Sequence, residues 1–401
     1  MNLDRQLMSL SIFHAINDGS LAVFLAALPV MRVALNLSLI EIGTVLSVGL
    51  LSTVIMQIVF GFLSDRGLTR HVLLGGFIAL AIVDLLFVRA AIYWHVLVFY
   101  LLLRGAAGAY HPVGFSTVFR TARNRSAAMG FQSGFGDSSI AFAMFTTGFL
   151  TESLGWSVPF LVWGLAGFAG VLAFVALGGY SRSAFHPDDT RPSIRRPGQK
   201  ITRRFIVLQL GTLFTQCLYL VFTGFMALFL NVILQLSPGI SSLLVALWLA
   251  IGVASSFNAG RFVRFLGSEH RTLRISFGLT AILILAATVM VLRSEMWTLA
   301  IALLVLSGIP FFLSFPVLYG MVGTAAPENR LGLAYAINLS IALIGGSIFS
   351  YAAGYFSSIY SLTVVIPILG ALALAEFISI IFLGESNSSS EHLMSNDIVI
   401  Q

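Results

Sequence analysis

Gly61-Phe62-Leu63-Ser64-Asp65-Arg66-Gly67-Leu68-Thr69-Arg70-His71 is the stretch from which the rest of the chain can be read. It gathers Asp65, Arg66, Arg70 and His71 with two glycines between apolar runs over residues 39–60 and 72–83, in which Glu41 is the one charge. Crossing the hydrocarbon core takes about 20 apolar residues, so this break reads as a short loop at a membrane surface between two spans. Working outward from it, similar charged or turn-rich breaks divide the chain into twelve expected helices. They fall at about 8–34, 39–63, 72–90, 94–118, 126–150 and 156–180, then about 205–231, 239–262, 272–293, 297–322, 331–356 and 361–384. Residues 1–180 and 205–384 are therefore expected to be two six-helix bundles. The segment 181–204, with Pro187, Pro192 and Pro197 and seven basic residues, is expected to be a solvated linker. The Ser- and Asn-rich tail 385–401 is expected to be disordered.

Composition agrees with this division. Of 401 residues, 58% are hydrophobic and 9% charged, against about 25% charged in soluble chains. That excludes a soluble multidomain protein, and the end-to-end spread of apolar residues leaves no polar ectodomain for a receptor. The first apolar segment contains Asn17 and Asp18 and has no small-residue cleavage site after it, so it is expected to be the first span. A lone cysteine, Cys217, excludes a disulfide framework or a thiolate metal site. The 37 glycines and 34 phenylalanines suit close helix packing and a lipid-facing surface.

Charge placement gives orientation. Of the 22 Lys and Arg residues, 18 lie at the N-terminus or in loops after even-numbered spans, three (Arg32, Arg89, Arg293) lie on the other side, and Arg104 lies inside a span. Cytoplasmic loops are the basic ones, so both termini are expected in the cytoplasm of a bacterial or archaeal cell. This distribution by membrane side also speaks against nucleic acid as the partner of a chain with net charge +6. Two six-helix halves with a cytoplasmic linker are the layout of a secondary transporter that rocks about a site near the bilayer midplane.

The quoted loop resembles the signature loop of the major facilitator superfamily, G-x-L-A/S-D-R-x-G-R-K/R. Gly61, Leu63, Ser64, Asp65, Arg66 and Arg70 match, while Leu68 stands where the second glycine belongs and Gly67 precedes it. Gly260, Arg261, Arg264 and Arg271 occupy the corresponding loop of the second half as a degenerate copy, and Arg104 with Gly108 is similar to the superfamily's R-x-x-x-G element. Within the superfamily, Phe13–Asp18 (F-H-A-I-N-D), Tyr110–Pro112 (Y-H-P) and Gly130–Gly136 (G-F-Q-S-G-F-G) resemble the fosmidomycin-resistance type of efflux protein; Val113 replaces the glutamate usual after its H-P pair. The resemblance implies the major facilitator fold, all-α and polytopic. It places the first, fourth and tenth spans on a central cavity, and it assigns Gly61, Asp65, Arg66 and Arg70 to a gating loop.

Ionisable groups inside a membrane are costly and are functional candidates by default. Asp18 lies ~15 Å into the first span at 1.5 Å per residue, with His14 one turn away on the same face and Asn17 beside them. Arg104, Gly108 and His111 share a face of the fourth span, and Asp137 lies at similar depth on the fifth. His14, Asp18, His111 and Asp137 are the expected proton-coupling residues, with Arg104 able to pair with Asp18 or Asp137 and His111 able to approach His14. Asp84 and Glu376 are expected to pack structurally. On the seventh span Gln209, Thr212, Gln216, Tyr219 and Thr223 form a polar stripe suited to a wetted wall. Ser307, Ser314 and Tyr319 lie near Pro310 and Pro316 on the tenth, which these prolines break or bend, and Tyr335 and Asn338 lie on the eleventh. Asn17, Arg104, Gln132, Gln216, Tyr219, Tyr319 and Asn338 are the expected substrate-binding residues.

The expected activity is transport rather than catalysis: a proton-coupled exporter of a small organic solute, acting as a monomer in the lipid bilayer and without cofactor. No phosphate-binding loop of the G-x-x-x-x-G-K-S/T type occurs. The alternative is uptake of a metabolite or organic anion by proton symport or facilitated exchange. A membrane enzyme or sensor is a lesser reading. No metal is expected, because His14, Asp18 and His111 would have to converge from two spans to hold one.

Overall fold

The computed structural model of the chain describes residues 5–121, 125–177, 203–293, 296–325 and 331–381. The 181–204 linker, for all but its last two residues, and the 385–401 tail lie outside them. Every described segment is helical, and no strand occurs among the described residues.

The first half comprises α1 (Arg5–Ala34), α2 (Leu39–Leu63), α3 (Thr69–Phe87), α4 (Tyr93–Ala107), α5 (Tyr110–Thr121), α6 (Arg125–Leu154) and α7 (Val158–Ala176). The second comprises α8 (Arg203–Leu234), α9 (Pro238–Phe257), α10 (Ala259–Leu266), α11 (Glu269–Leu292), α12 (Trp297–Leu306), α13 (Gly308–Ala325), α14 (Leu331–Ile359) and α15 (Val365–Ile381). Taking α4 with α5 and α12 with α13 as broken spans, eleven stretches among the described residues are long and apolar enough to cross a membrane. The twelfth expected span is α6, 30 residues long. Gln132, Ser133, Asp137, Ser138 and Ser139 make it more polar than the others.

Side-chain placement is inverted relative to a soluble bundle. Val33, Ile55, Phe142, Leu172, Ile282 and Ile348 face outward, whereas His14, Asn17, Asp18, Arg104, Gln132 and Asn338 are buried. Hydrocarbon outside and polar groups inside is the arrangement that lets each polar atom find a partner away from lipid.

Two spans are interrupted, the fourth against expectation and the tenth as its prolines lead one to expect. The expected helix 94–118 stops at Ala107 and restarts at Tyr110, and the expected helix 297–322 stops at Leu306 and restarts at Gly308. Each break has a proline on its C-terminal side. Pro112 cannot donate to the carbonyl of Gly108, nor Pro310 to that of Leu306, and each ring crowds the carbonyl four residues back. The second half likewise splits the expected 239–262 helix into α9 and the short α10.

The quoted loop forms a single wide turn over Ser64–Leu68 in which Gly67 takes φ +85°. The displaced glycine thus supplies the left-handed residue, and Leu68 needs no such freedom. Gly267, at the end of α10 in the corresponding loop of the second half, takes φ +83°, so both halves turn through a glycine at the same rank.

The halves meet chiefly along two seams. α2 lies against α14, with Ser47 Oγ 2.8 Å from Ser347 Oγ, and Gly43 and Gly354 bring the two backbones together. α6 lies against α9, where the Glu152 carboxylate accepts from the backbone N–H of Gly239 at 2.9 Å. This caps the first turn of α9, where unpaired N–H groups favour an anion.

Candidate functional site

The i, i+4 spacing on α1 puts His14 Nε2 3.0 Å from Asp18 Oδ2. Asp18 Oδ1 accepts from Asn17 Nδ2 at 2.9 Å and lies 3.4 Å from His111 Nε2. His111 reaches it from the first turn of α5, just beyond the proline-induced break. Three ligand-capable atoms from two spans therefore lie within 4.8 Å of one another, a spacing at which one small cation, a proton or a metal, can be shared.

The tautomer of His14 follows from its other nitrogen. Nδ1 is 2.8 Å from the backbone carbonyl of Gln132 on α6; a carbonyl only accepts, so Nδ1 carries a hydrogen. Nε2 of a neutral ring would then present a lone pair to the Asp18 carboxylate. The contact requires one further proton, either on Nε2 or on Oδ2. Around it the ring stacks on Tyr110 at 4.5 Å and meets Phe115 edge-on at 5.4 Å. α6 presses on the pair from its Gly136 position, where a β-carbon would come within 2.6 Å of the imidazole and 3.0 Å of Asp18. His14 is 4% exposed and the His111 side chain 30%, so the cluster has a sealed end and an accessible end. Asp137, one residue beyond Gly136, is within electrostatic reach of His14 and Asp18.

Arg104 is placed differently from the expectation. No ion pair joins it to Asp18 or Asp137 among the described residues; Asp18 is taken by the two histidines. Its guanidinium is buried, its Nε has no hydrogen-bond partner among the described residues, and it lines a cavity of about 30 Å³ between the halves. Asp84 is buried near Ser20 of α1, and Glu376 accepts from Thr215 at 2.5 Å.

Gln132 acts as a clamp between α1 and α6: besides its carbonyl contact with His14, its Oε1 is bonded by the Ser11 hydroxyl at 2.6 Å. Asn17 is engaged by Asp18. In the second half Gln216 Nε2 donates to Tyr319 OH at 2.8 Å. Tyr219 packs among Trp248, Phe312 and Phe315 and lies within electrostatic reach of Asp18, Asp137 and Arg104. Asn338 is buried on α14 with neither amide atom bonded among the described residues. The expected seventh-span stripe divides: Thr212 and Thr223 donate to carbonyls of their own helix, leaving Gln216 and Tyr219 to face other helices. The Tyr335 side chain lies outside the described residues.

The family model of the Major Facilitator Superfamily matches residues 10–232 and 208–393. The chain belongs to the major facilitator superfamily. Its fold is shared with a D-xylose–proton symporter, at 12% identity over 95% of this chain and 97% of that one, TM-score 0.77. A nucleoside transporter matches at 14% identity over 95% and 100%, TM-score 0.74. A bacterial homolog of the human lysosomal transporter Spinster, inward-facing and unoccupied, matches at 17% identity over 96% and 95%, TM-score 0.71. No curated protein matches the chain.

As a superfamily transporter the chain carries the signature loop between α2 and α3. Arg66 stacks on Phe62 with its guanidinium carbon 4.1 Å from the ring centre, Arg70 is exposed, Gly61 has open space around it, and the Asp65 side chain lies outside the described residues. Two polar residues of the cavity, Tyr100 and Ser350, were not singled out in the sequence. Tyr100 lies one turn before Arg104, a spacing that could have found it. Ser350 comes from α14, and nothing in its local sequence marks it.

Proposed function

We propose that this transporter is a proton-coupled exporter of a small organic solute, working as a single chain by alternating access in a bacterial or archaeal cytoplasmic membrane. The observation that carries the reading is the His14–Asp18–His111 cluster, whose hydrogen-bond geometry requires an exchangeable proton inside the membrane. His111, at the accessible end, passes the proton to Asp18; His14, held by Gln132, keeps Asp18 oriented. Because α6, which lies over the cluster, packs against α9 of the opposite half, rocking of the halves changes the cluster's surroundings and with them its hold on the proton. Gain or loss of charge at Asp18 is then felt at Tyr219, on the opposite half, which links proton occupancy to the solute's side of the cavity. The signature loop at Gly61, Asp65, Arg66 and Arg70 biases which face opens. Export rather than uptake is favoured by the resemblance of Phe13–Asp18, Tyr110–Pro112 and Gly130–Gly136 to fosmidomycin-resistance proteins.

The test is lumenal pH in proteoliposomes during a solute screen, comparing the intact protein with Asp18→Asn at matched reconstitution. Solute entry in exchange for protons makes the lumen more alkaline, whereas symport acidifies it. We expect alkalinisation that Asp18→Asn abolishes and that EDTA leaves unchanged. Proton movement that survives in Asp18→Asn would remove Asp18 from coupling. Loss with EDTA and recovery with zinc would replace the proton by a metal.

A further inference from the structure

Arg104 presents an unbalanced charge. A guanidinium held in the bilayer interior is costly unless an anion accompanies it, and no carboxylate lies within ion-pair distance of it among the described residues. It is 8% exposed, and it lines the cavity between the halves.

The other polar groups of that cavity have a consistent sense. Tyr100 from α4 and Ser350 from α14 are 3% and 1% exposed and line it; neither hydroxyl is engaged in a hydrogen bond among the described residues. Thr223 also lines it, but its hydrogen is given to the Tyr219 carbonyl at 2.8 Å. Arg104, Tyr100 and Ser350 thus offer hydrogens and a positive charge, with no carboxylate to compete. The remaining walls are leucines of α1, α2 and α8. Gly49 of α2 makes the arrangement sterically possible, since a β-carbon there would come within 2.4 Å of the Tyr100 ring and 2.9 Å of Arg104 Cγ.

We infer that the solute is a small organic anion whose carboxylate or phosphonate head group is held by Arg104 and Tyr100 from the first half and Ser350 from the second, with its apolar body against the leucines. A cavity of about 30 Å³ holds a water or two, enough for a head group and not for a whole solute, so the body occupies space that opens as the halves separate. An anion bonded to both α4 and α14 also bridges the halves and favours the closed arrangement. This inference rests on the transport reading and names the substrate class of the same cavity.

The test reads binding without flux. Thermal unfolding of the purified full chain in detergent is followed against hexanoate, hexylphosphonate, the neutral isostere hexanamide, hexylamine and sodium chloride. At least one of the two organic anions is expected to protect at a concentration tenfold or more below hexanamide. Arg104→Gln should erase that difference, Arg104→Lys should keep part of it, and Ser350→Ala should weaken anion protection several-fold while leaving hexanamide unaffected. If Arg104→Gln does not fold, Ser350→Ala and Tyr100→Phe carry the comparison.

Equal protection by hexanamide, indifference to all these variants, or no protection by either anion would overturn the inference. So would saturating protection by chloride alone with nothing added by the organic anions. Anion binding without proton movement in vesicles would instead overturn the transport coupling and leave the anion site standing. Proton movement driven by neutral solutes and indifferent to Arg104 would do the reverse.

Discussion

The His14–Asp18–His111 cluster depends on a residue that has no side chain. His14 and Asp18 meet through their i, i+4 spacing on α1, and the backbone of α6 lies directly over the pair because Gly136 allows that approach: a methyl group there would fall 2.6 Å from the imidazole. Neither neighbour is free to yield. The ring is pinned by the Gln132 carbonyl and by Tyr110, and Asp18 by Asn17. Gly136→Ala is therefore expected to separate the pair. A hydrogen bond to a charged group contributes ~1.5–3 kcal/mol, so proton-coupled flux should fall by about tenfold or more, with the protein still folded. Initial rates of lumenal pH change at matched protein density check this, and an undiminished rate would show that the His14–Asp18 contact is dispensable. The histidine–aspartate half of this cluster was legible in the sequence, because i, i+4 spacing holds on any helix. The pairing of Arg104 was misjudged for a physical reason: opposite charges at similar depth suggest an ion pair, but two histidines had already satisfied the one well-placed carboxylate.

At the scale of the helices, the fourth and tenth spans show what hydropathy reads and what it does not. Both appeared as continuous apolar runs, and both are broken near mid-length. Pro310 announced the second break. The first is hidden, because Pro112 reads as part of the Y-H-P motif and because glycine is common inside membrane helices. The break matters for function, since it begins α5 at Tyr110 and sets His111 toward Asp18. It also lets Gly108 lie against α2, where a β-carbon would stand 3.1 Å from the Gln57 nitrogen and 3.2 Å from the Thr53 carbonyl. Those neighbours are backbone and cannot swing aside. Gly108→Val should consequently force α4 from α2, lowering stability by about 1–3 kcal/mol, as overpacking does, and displacing both Arg104 and His111. A lowered melting temperature in detergent with loss of both anion protection and proton movement is the expected result. Unchanged melting would mean that the α2–α4 contact is looser than the backbone distances imply.

For the whole molecule, alternating access demands that some contacts between the halves be broken in every cycle, and the two seams are where that demand falls. The apolar runs made an all-helical membrane fold legible, but no local sequence signal could pair α2 with α14 or α6 with α9, because those contacts rest on small residues far apart in the chain. Gly43 and Gly354 bring the backbones together, and Ser47 and Ser347 lie 2.8 Å apart, oxygen to oxygen. Replacing both serines by cysteine puts two sulfurs at the positions of atoms already in contact, well inside the reach of a disulfide. Cys217, the native cysteine, is buried and can be changed to alanine so that thiol counting is unambiguous. In that background Ser47→Cys with Ser347→Cys is expected to lose both free thiols on mild oxidation, to stop transport in vesicles, and to recover transport on reduction, while either single substitution leaves transport intact. Organic anions should accelerate the oxidation if they bridge Arg104 and Ser350, because they hold the seam closed. Complete cross-linking with undiminished flux would show that α2 and α14 never part, and the motion that moves solute would then have to open elsewhere.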